Sequence, residues 1–467
     1  MKRSEWIAFI VLLLVVLTPN IAVAFFAADI ATGEQTILYL LSTIALYTIG
    51  LCLVHKRAYF YIVSLGFAFT AWEMTHLVLR GSTITMLYLY TWFKTPPLVL
   101  WSIIFPYWWL ILLGVIAWIG FYAVAHYFIE RTPIASWKWR LPALFIALAV
   151  LFAIPVTPNP LNVMQQLGRL AQFAIKVEKN LPEQRQFTYH IQEKKTKFPE
   201  NVIVVIGETN YDEWQQLEYR DSLSIVFDSV YTECPVSGVS IPLLLSSATP
   251  TDQKPFFTQK SVIQAFNEAG YYTAWLSNYG YHDHFLMRIS DDCRYLSYKP
   301  YQPDSALLEP FREVMAQPSL RHMITLVTQG ARDTANFAST PTLLRQLTDS
   351  LRKEHQPVML IYVGANRINI TNDCHGLRVP FVVWANPNYR YRHRALIRHM
   401  EAQKTQPHST GSLFHTLLYM SDIPCAALNE DKAFGSWSLI PSDTIWYFDE
   451  NLQPSFLLPQ PVEMTEH

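Results

Sequence analysis

The residues best suited to chemistry lie in two short segments, 201–209 and 234–242. Asn201-Val-Ile-Val-Val-Ile-Gly-Glu-Thr209 is an apolar, β-branched run that ends on a carboxylate, so it reads as a buried strand delivering Glu208 at its carboxyl end. Cys234-Pro-Val-Ser-Gly-Val-Ser-Ile-Pro242 places small hydroxyl residues where a helix can begin. A serine at a helix start beside a strand-end glutamate is the pair a metal-activated nucleophile requires: the carboxylate holds the ion, and the ion acidifies the hydroxyl. The same serines, Ser237 and Ser240, would equally serve as helix caps. Other titratable clusters say less. His282 and His284 flank Asp283 in Tyr281-His-Asp-His-Phe285, which reads as a solvated loop, and His415 sits in a helical pattern that favours a packed, hydrogen-bonded ring. Neither a glycosidase-like carboxylate pair nor a G-x-S-x-G elbow is visible.

The elements that must position Glu208 and Ser237 follow from hydrophobic patterning. Strands are predicted at 202–206, 272–276, 323–327, 359–363 and 379–384, with helical patterns at 260–269, 340–354 and 411–421 between them. Strands alternating with helices imply a mainly parallel sheet covered on both faces, with ligands at the carboxyl ends of its strands. Glu208 and Ser237 are therefore expected to converge there, within about 3–5 Å if they share one ion.

The N-terminal third has a different character. Residues 1–158 hold 14 of the 73 charged residues in the chain, which excludes a single soluble globule. Charge-poor windows at 6–28, 35–55, 58–79, 95–129 and 141–155 predict five membrane spans. The first, with Lys2-Arg3 and Ala22-Val23-Ala24, also has the features of a signal peptide, but the spans that follow favour an uncleaved segment. Lys2, Arg3, Lys56, Arg57, Arg131, Lys138 and Arg140 all fall on one side if the N-terminus is inside, so an odd number of spans carries the rest of the chain across. Glu73 and His76 share a face of the third span, as a functional site or as a structural polar contact. Leu161, Met164, Leu167, Leu170 and Phe173 recur at three- and four-residue steps, predicting an amphipathic helix at the membrane surface. The predicted organisation is thus a transmembrane domain at 1–158, a juxtamembrane helix and linker at 159–200, and an extracytoplasmic α/β domain at 201–467.

A net charge of -1 gives no electrostatic reason to expect a nucleic-acid partner. Cys234, Cys293, Cys374 and Cys425 all fall on the translocated side, where disulfides are permitted; their spacing leaves three pairings open and argues against a zinc ribbon.

Five spans, a surface helix, V-I-V-V-I-G-E-T and C-x-x-S-G-V-S-I-P together resemble the bacterial phosphoethanolamine transferases, with Ala274–Asn278, Leu360–Val363, Val379–Trp384 and Ser412–Leu418 following in order. The resemblance implies a multi-pass protein of the bacterial inner membrane with a periplasmic domain of the alkaline phosphatase/sulfatase fold. It implies phosphoethanolamine transfer from a membrane phospholipid to an envelope lipid or glycan acceptor, with zinc as cofactor. Carried over residue by residue, Glu208 and Ser237 become metal ligands, Ser237 the nucleophile in place of the usual threonine, and His375 of His375-Gly376-Leu377 a phosphate contact. The chain departs from the family where two further zinc ligands, an aspartate and a histidine, follow the strand at 360–363. Here Gly364-Ala365-Asn366-Arg367 stands instead, and Thr328-Gln-Gly-Ala331 replaces a histidine-bearing stretch. Alanine cannot ligate and an asparagine amide is a poor zinc ligand. Asp373 with His375 is the nearest substitute pair in sequence. A catalytically degenerate protein that binds an envelope lipid, glycan or protein is the alternative these departures raise. The topology can be checked directly: a phosphatase reporter fused after Glu200 should be active, and a cytoplasmic signal there would overturn the five-span reading.

Overall fold

The computed structural model describes residues 83–94, 105–131, 141–147, 162–191, 200–209 and most of 211–459, with scattered positions before 83. It does not describe 329–338 or 366–375, among other short stretches. The chain divides into two compact units, Met1–Phe173 and Ala174–His467.

In the first unit, helices cover Met86–Lys94 and Trp108–Arg131. The second of these leaves Trp108, Trp109, Leu112, Ile116 and Ile119 exposed. Most of the predicted spans at 6–28, 35–55 and 58–79 lies outside the described residues. Among the residues described with their side chains, no helix is long and apolar enough to cross a membrane. Glu73 has a structural role here. Its Oε1 accepts from the Ile84 N–H (3.2 Å) and from the Asn162 amide (3.0 Å), and that amide also donates to the Ile84 carbonyl (2.6 Å). One buried carboxylate thus ties three separate segments together, and His76 packs edge-on against Tyr88 with ring centroids 4.1 Å apart. The helix Asn162–Gln186 occupies the segment predicted as juxtamembrane and carries the chain from the first unit into the second.

The second unit is built on a seven-stranded sheet. In chain order its strands are β1 (Asn201–Gly207), β2 (Ser224–Phe227), β4 (Tyr272–Ser277), β5 (Tyr295–Tyr298), β6 (His322–Thr328), β7 (Val358–Gly364) and β8 (Phe381–Ala385). A short pair outside the sheet joins β3 (Val230–Tyr231) to β9 (His408–Ser409). The spatial order is β2-β8-β7-β1-β6-β4-β5. Pairing is parallel from β7 to β5, while β8 runs antiparallel to both its neighbours, so the sheet is mixed near one edge.

Alternation along the strands explains why the sheet is covered on both faces. Val202, Val204 and Ile206 of β1 and Met359, Ile361 and Val363 of β7 enter one core, with Ile263 and Phe266 of the helix Val262–Glu268 and Phe414 and Leu417 of the helix Ser412–Met420. Ile203, Val205, Leu360 and Tyr362 enter the opposite core, with Phe311, Leu343 and Leu347 from the helices Leu308–Met315 and Ser339–Leu351. Period-2 strands buried on both sides are the continuous apolar runs that made β1, β4, β6 and β7 readable. The strands β2, β3 and β5, of two to four residues, are too short to stand out in the sequence. Cys234, Cys293 and Cys425 are free thiols; Cys374 lies outside the described residues.

A buried acid locks the loop that follows β3. Glu233 Oε1 accepts from the Ser409 hydroxyl (2.5 Å), which itself accepts from the Gly411 N–H (3.1 Å) at the start of the helix Ser412–Met420. A side chain at 411 would drive its Cβ into that carboxylate, so the glycine is required by close approach. Glu233 Oε2 has no partner among the described residues. Burial pushes its pKa from 4.5 up to about 7, partly offset by the Ser409 bond and Lys432. The folded protein therefore holds this proton more tightly than the unfolded chain. The associated stability is full below about pH 4.5 and lost as pH rises to about 7. Glu233→Gln, neutral at every pH, should match the parent at pH 4.5 and exceed it by up to about 3 kcal/mol above pH 7, since each pKa unit corresponds to about 1.4 kcal/mol. Chemical denaturation at the two pH values checks this, and a difference independent of pH would refute it.

Candidate active site

β1 lies between β6 and β7, at the middle of the sheet, and its carboxyl end turns at Gly207-Glu208-Thr209. The turn is tightly fixed. Thr209 N–H donates back to the Gly207 carbonyl (3.0 Å), and the Tyr362 hydroxyl of β7 donates to Thr209 Oγ1 (3.0 Å). A Cβ at position 207 would stand 2.9 Å from that tyrosine oxygen, and one at 364 would stand 2.6 Å from the Pro380 ring. Two glycines thus let neighbouring strands close around the turn, which leaves the Glu208 carboxylate one buried position to occupy.

Ser237 begins the helix Ser237–Leu244, whose eight residues are all buried. The N-cap is Val236 and no side chain caps it, so the expectation that Ser237 serves as a helix cap is not met. Instead Ser237 Oγ donates a short hydrogen bond to Glu208 Oε1, bringing together the two residues singled out from the sequence. Ser240 plays a separate structural part, its hydroxyl lying 3.3 Å from Thr232 Oγ1. A third side chain reaches the site that patterning gave no reason to select: the Tyr279 hydroxyl lies 3.3 Å from Ser237 Oγ. Tyr279 follows β4 by two residues, and ring chemistry alone does not distinguish it from the many other tyrosines in the chain.

Ala365 directly follows β7. Its N–H donates to the Gly207 carbonyl (2.7 Å), which sets it beside the Glu208 turn, and its methyl is fully buried. Of the positions compared with the family, Glu208 and Ser237 carry an oxygen donor and 365 carries none. A zinc site takes four ligands, or three with one position left open, and among the described residues no group of three or more His, Cys, Asp or Glu side chains could hold a metal. The described residues do not fit zinc. Asn366, Asp373 and His375 lie outside them, as do Tyr281 to Asp283 and the Gln329–Ala331 stretch. His415 is packed as expected. Its Nδ1 accepts from the Asn429 N–H (3.2 Å), and burial lowers its pKa to about 4, so the ring is neutral and has no catalytic contact here.

No protein-family model matches the chain, and no curated protein matches it. Solved structures do. The integral membrane lipooligosaccharide phosphoethanolamine transferase A from Neisseria meningitidis aligns over 90% of this chain and 97% of its own, with a TM-score of 0.59 and 14% identity. The C-terminal periplasmic domain of EcEptC from Escherichia coli aligns over 58% of this chain and 95% of its own, with a TM-score of 0.50 and 16% identity. The same domain in complex with Zn gives the same score and identity over 59% and 96%. Sequence identity this low carries fold and not activity: the likeness to EcEptC covers somewhat more than half of the chain, and the likeness to the integral membrane transferase covers most of it. The chain is similar in fold to these solved phosphoethanolamine transferase structures.

Proposed function

We propose that this chain is a multi-pass inner-membrane protein whose periplasmic domain uses Ser237 as a nucleophile on the phosphoethanolamine headgroup of a membrane phospholipid. An envelope lipid or glycan hydroxyl is the acceptor. The hydrogen bond from Ser237 to Glu208 at the carboxyl end of the central strand carries this reading. The full-length likeness to an integral membrane transferase supports the membrane setting. The domain limits proposed are those of the sequence, with spans before 159 and the transfer site after 200.

In the reaction, Ser237 Oγ attacks phosphorus while its proton passes to Glu208. The phosphorus–oxygen bond to diacylglycerol breaks, and the leaving alkoxide takes up that proton from Glu208, which is left ionised for the second step. The acceptor hydroxyl then attacks the Ser237 adduct, loses its proton to Glu208, and Oγ departs and is reprotonated. His375 is proposed as a contact to the phosphoryl oxygens. A bound divalent ion would supply phosphoryl charge neutralisation and a more acidic hydroxyl, neither of which the described residues are arranged to recruit.

Ala365 favours the second reading, a degenerate site that binds an envelope lipid, glycan or protein without turning it over. A phosphodiester anion about 4 Å from an ionised Glu208 meets a repulsion of about 4 kcal/mol at an effective dielectric of 20. With two ligand positions changed, transfer should be slow. Full-length protein purified without chelator should carry clearly less than one zinc per chain. Ala365→Asp combined with Asn366→His should bring it to one and speed diacylglycerol release from phosphatidylethanolamine vesicles. Stoichiometric zinc in the parent would contradict the account of the ligand set, and release unaffected by Ser237→Ala would contradict the nucleophile.

A further inference from the structure

Among the described residues, two side chains reach Ser237 Oγ, Glu208 and Tyr279. A serine hydroxyl has one hydrogen and accepts through its lone pairs. Since Ser237 gives its hydrogen to Glu208, the hydrogen in the 3.3 Å contact must come from Tyr279. The three groups are ordered, Tyr279 to Ser237 to Glu208, with the phenol pointed at the oxygen that forms and breaks the bond to phosphorus.

The tyrosine is held in that direction. Its N–H donates to Ser277 Oγ (3.0 Å). The preceding residue, Asn278, is fully buried, and its amide donates to Asp304 Oδ1 (2.8 Å) and to the Gln302 carbonyl (2.9 Å). Asp304 is fixed in turn by the Thr340 hydroxyl (2.8 Å), and the Tyr279 ring packs against the core that contains β1. A donor locked at both backbone and ring before the reaction starts is the condition under which one hydrogen bond stabilises developing charge effectively.

We propose that Tyr279 is a catalytic residue that stabilises negative charge on Ser237 Oγ when the serine leaves phosphorus. This rests on Ser237 being the nucleophile. It extends that reading by assigning the charge stabilisation on Oγ, which Ala365 cannot help a cation to supply, to a phenol from the next strand but one. In adduct formation Glu208 takes the Oγ proton as the electron pair goes into the new bond to phosphorus. With an activated ester such as a nitrophenyl one, the charge comes to rest on the departing group and the barrier is low, so that step depends least on a donor to Oγ. In adduct breakdown the Oγ–phosphorus bond cleaves and its electron pair returns to Oγ. Tyr279 keeps its proton throughout and strengthens its hydrogen bond as that charge appears. Glu208 then returns to Oγ the proton it took from the attacking hydroxyl.

The test separates the two half-reactions in the full-length protein in detergent. With p-nitrophenyl phosphoethanolamine, adduct formation releases nitrophenolate as an early burst, and breakdown by water sets the steady rate. Tyr279→Phe should leave the burst within about threefold of the parent and lower the steady rate by roughly 10- to 100-fold. The Ser237 adduct should accumulate in the intact mass. Placing difluorotyrosine at 279, a stronger donor of the same shape, should raise the steady rate, which a packing role would not do. Burst and steady phases falling together, or neither changing, would overturn the inference while leaving Ser237 as nucleophile. A parent with neither burst nor Ser237 adduct would overturn that reading, and the role of Tyr279 with it.

Discussion

The short hydrogen bond between Ser237 and Glu208 is the contact on which the rest of the site depends. It joins the end of the fully buried central strand of the sheet to the first residue of a fully buried helix. β1 is fixed by pairing on both edges and packing on both faces. The loop before Ser237 is fixed by Glu233, whose carboxylate is sealed against the start of the helix Ser412–Met420. The site is therefore a rigid product of the fold, and a side chain added at 207, 364 or 411 would disturb it from a distance.

Electrostatics decides how well such a site can work. Glu208 brings negative charge to the place where an anionic phosphodiester would react, and the described residues offer no cluster that would recruit a compensating divalent ion. A hydrogen bond from a phenol is worth a few kcal/mol at best, comparable with the repulsion it must offset and well short of a bound cation. If Tyr279, Ser237 and Glu208 act as proposed, transfer by this site would be slow. The same balance explains how a binding function could persist in it.

Much of the domain was legible because its strands are buried on both faces. β1, β4, β6 and β7 are continuous apolar runs, and each lies within a residue of its predicted limits at either end. β8 was found as a strand, but not as the antiparallel one, because direction is set by the connection after Gly364 and leaves no mark on Phe381–Ala385. Glu208 and Ser237 were visible as a strand-end acid and a hydroxyl at a helix start. Tyr279 and Glu233 were not: one acts through a tertiary contact across 42 positions, the other through one across 176. No local pattern encodes such distances. Ser237 shows the opposite case, since its place at the first turn suggested a cap until its hydrogen proved to be given to Glu208.

The central claim is that Ser237 Oγ attacks phosphorus, and it can be read at a single residue. Full-length protein, reconstituted with phosphatidylethanolamine and quenched in acid, should yield a phosphoethanolamine adduct on the peptide containing Ser237 in tandem mass spectrometry. The adduct should be missing from Ser237→Ala and weakened in Glu208→Gln. A folded, reconstituted protein with no adduct at Ser237, or with the adduct on another residue, would contradict the account.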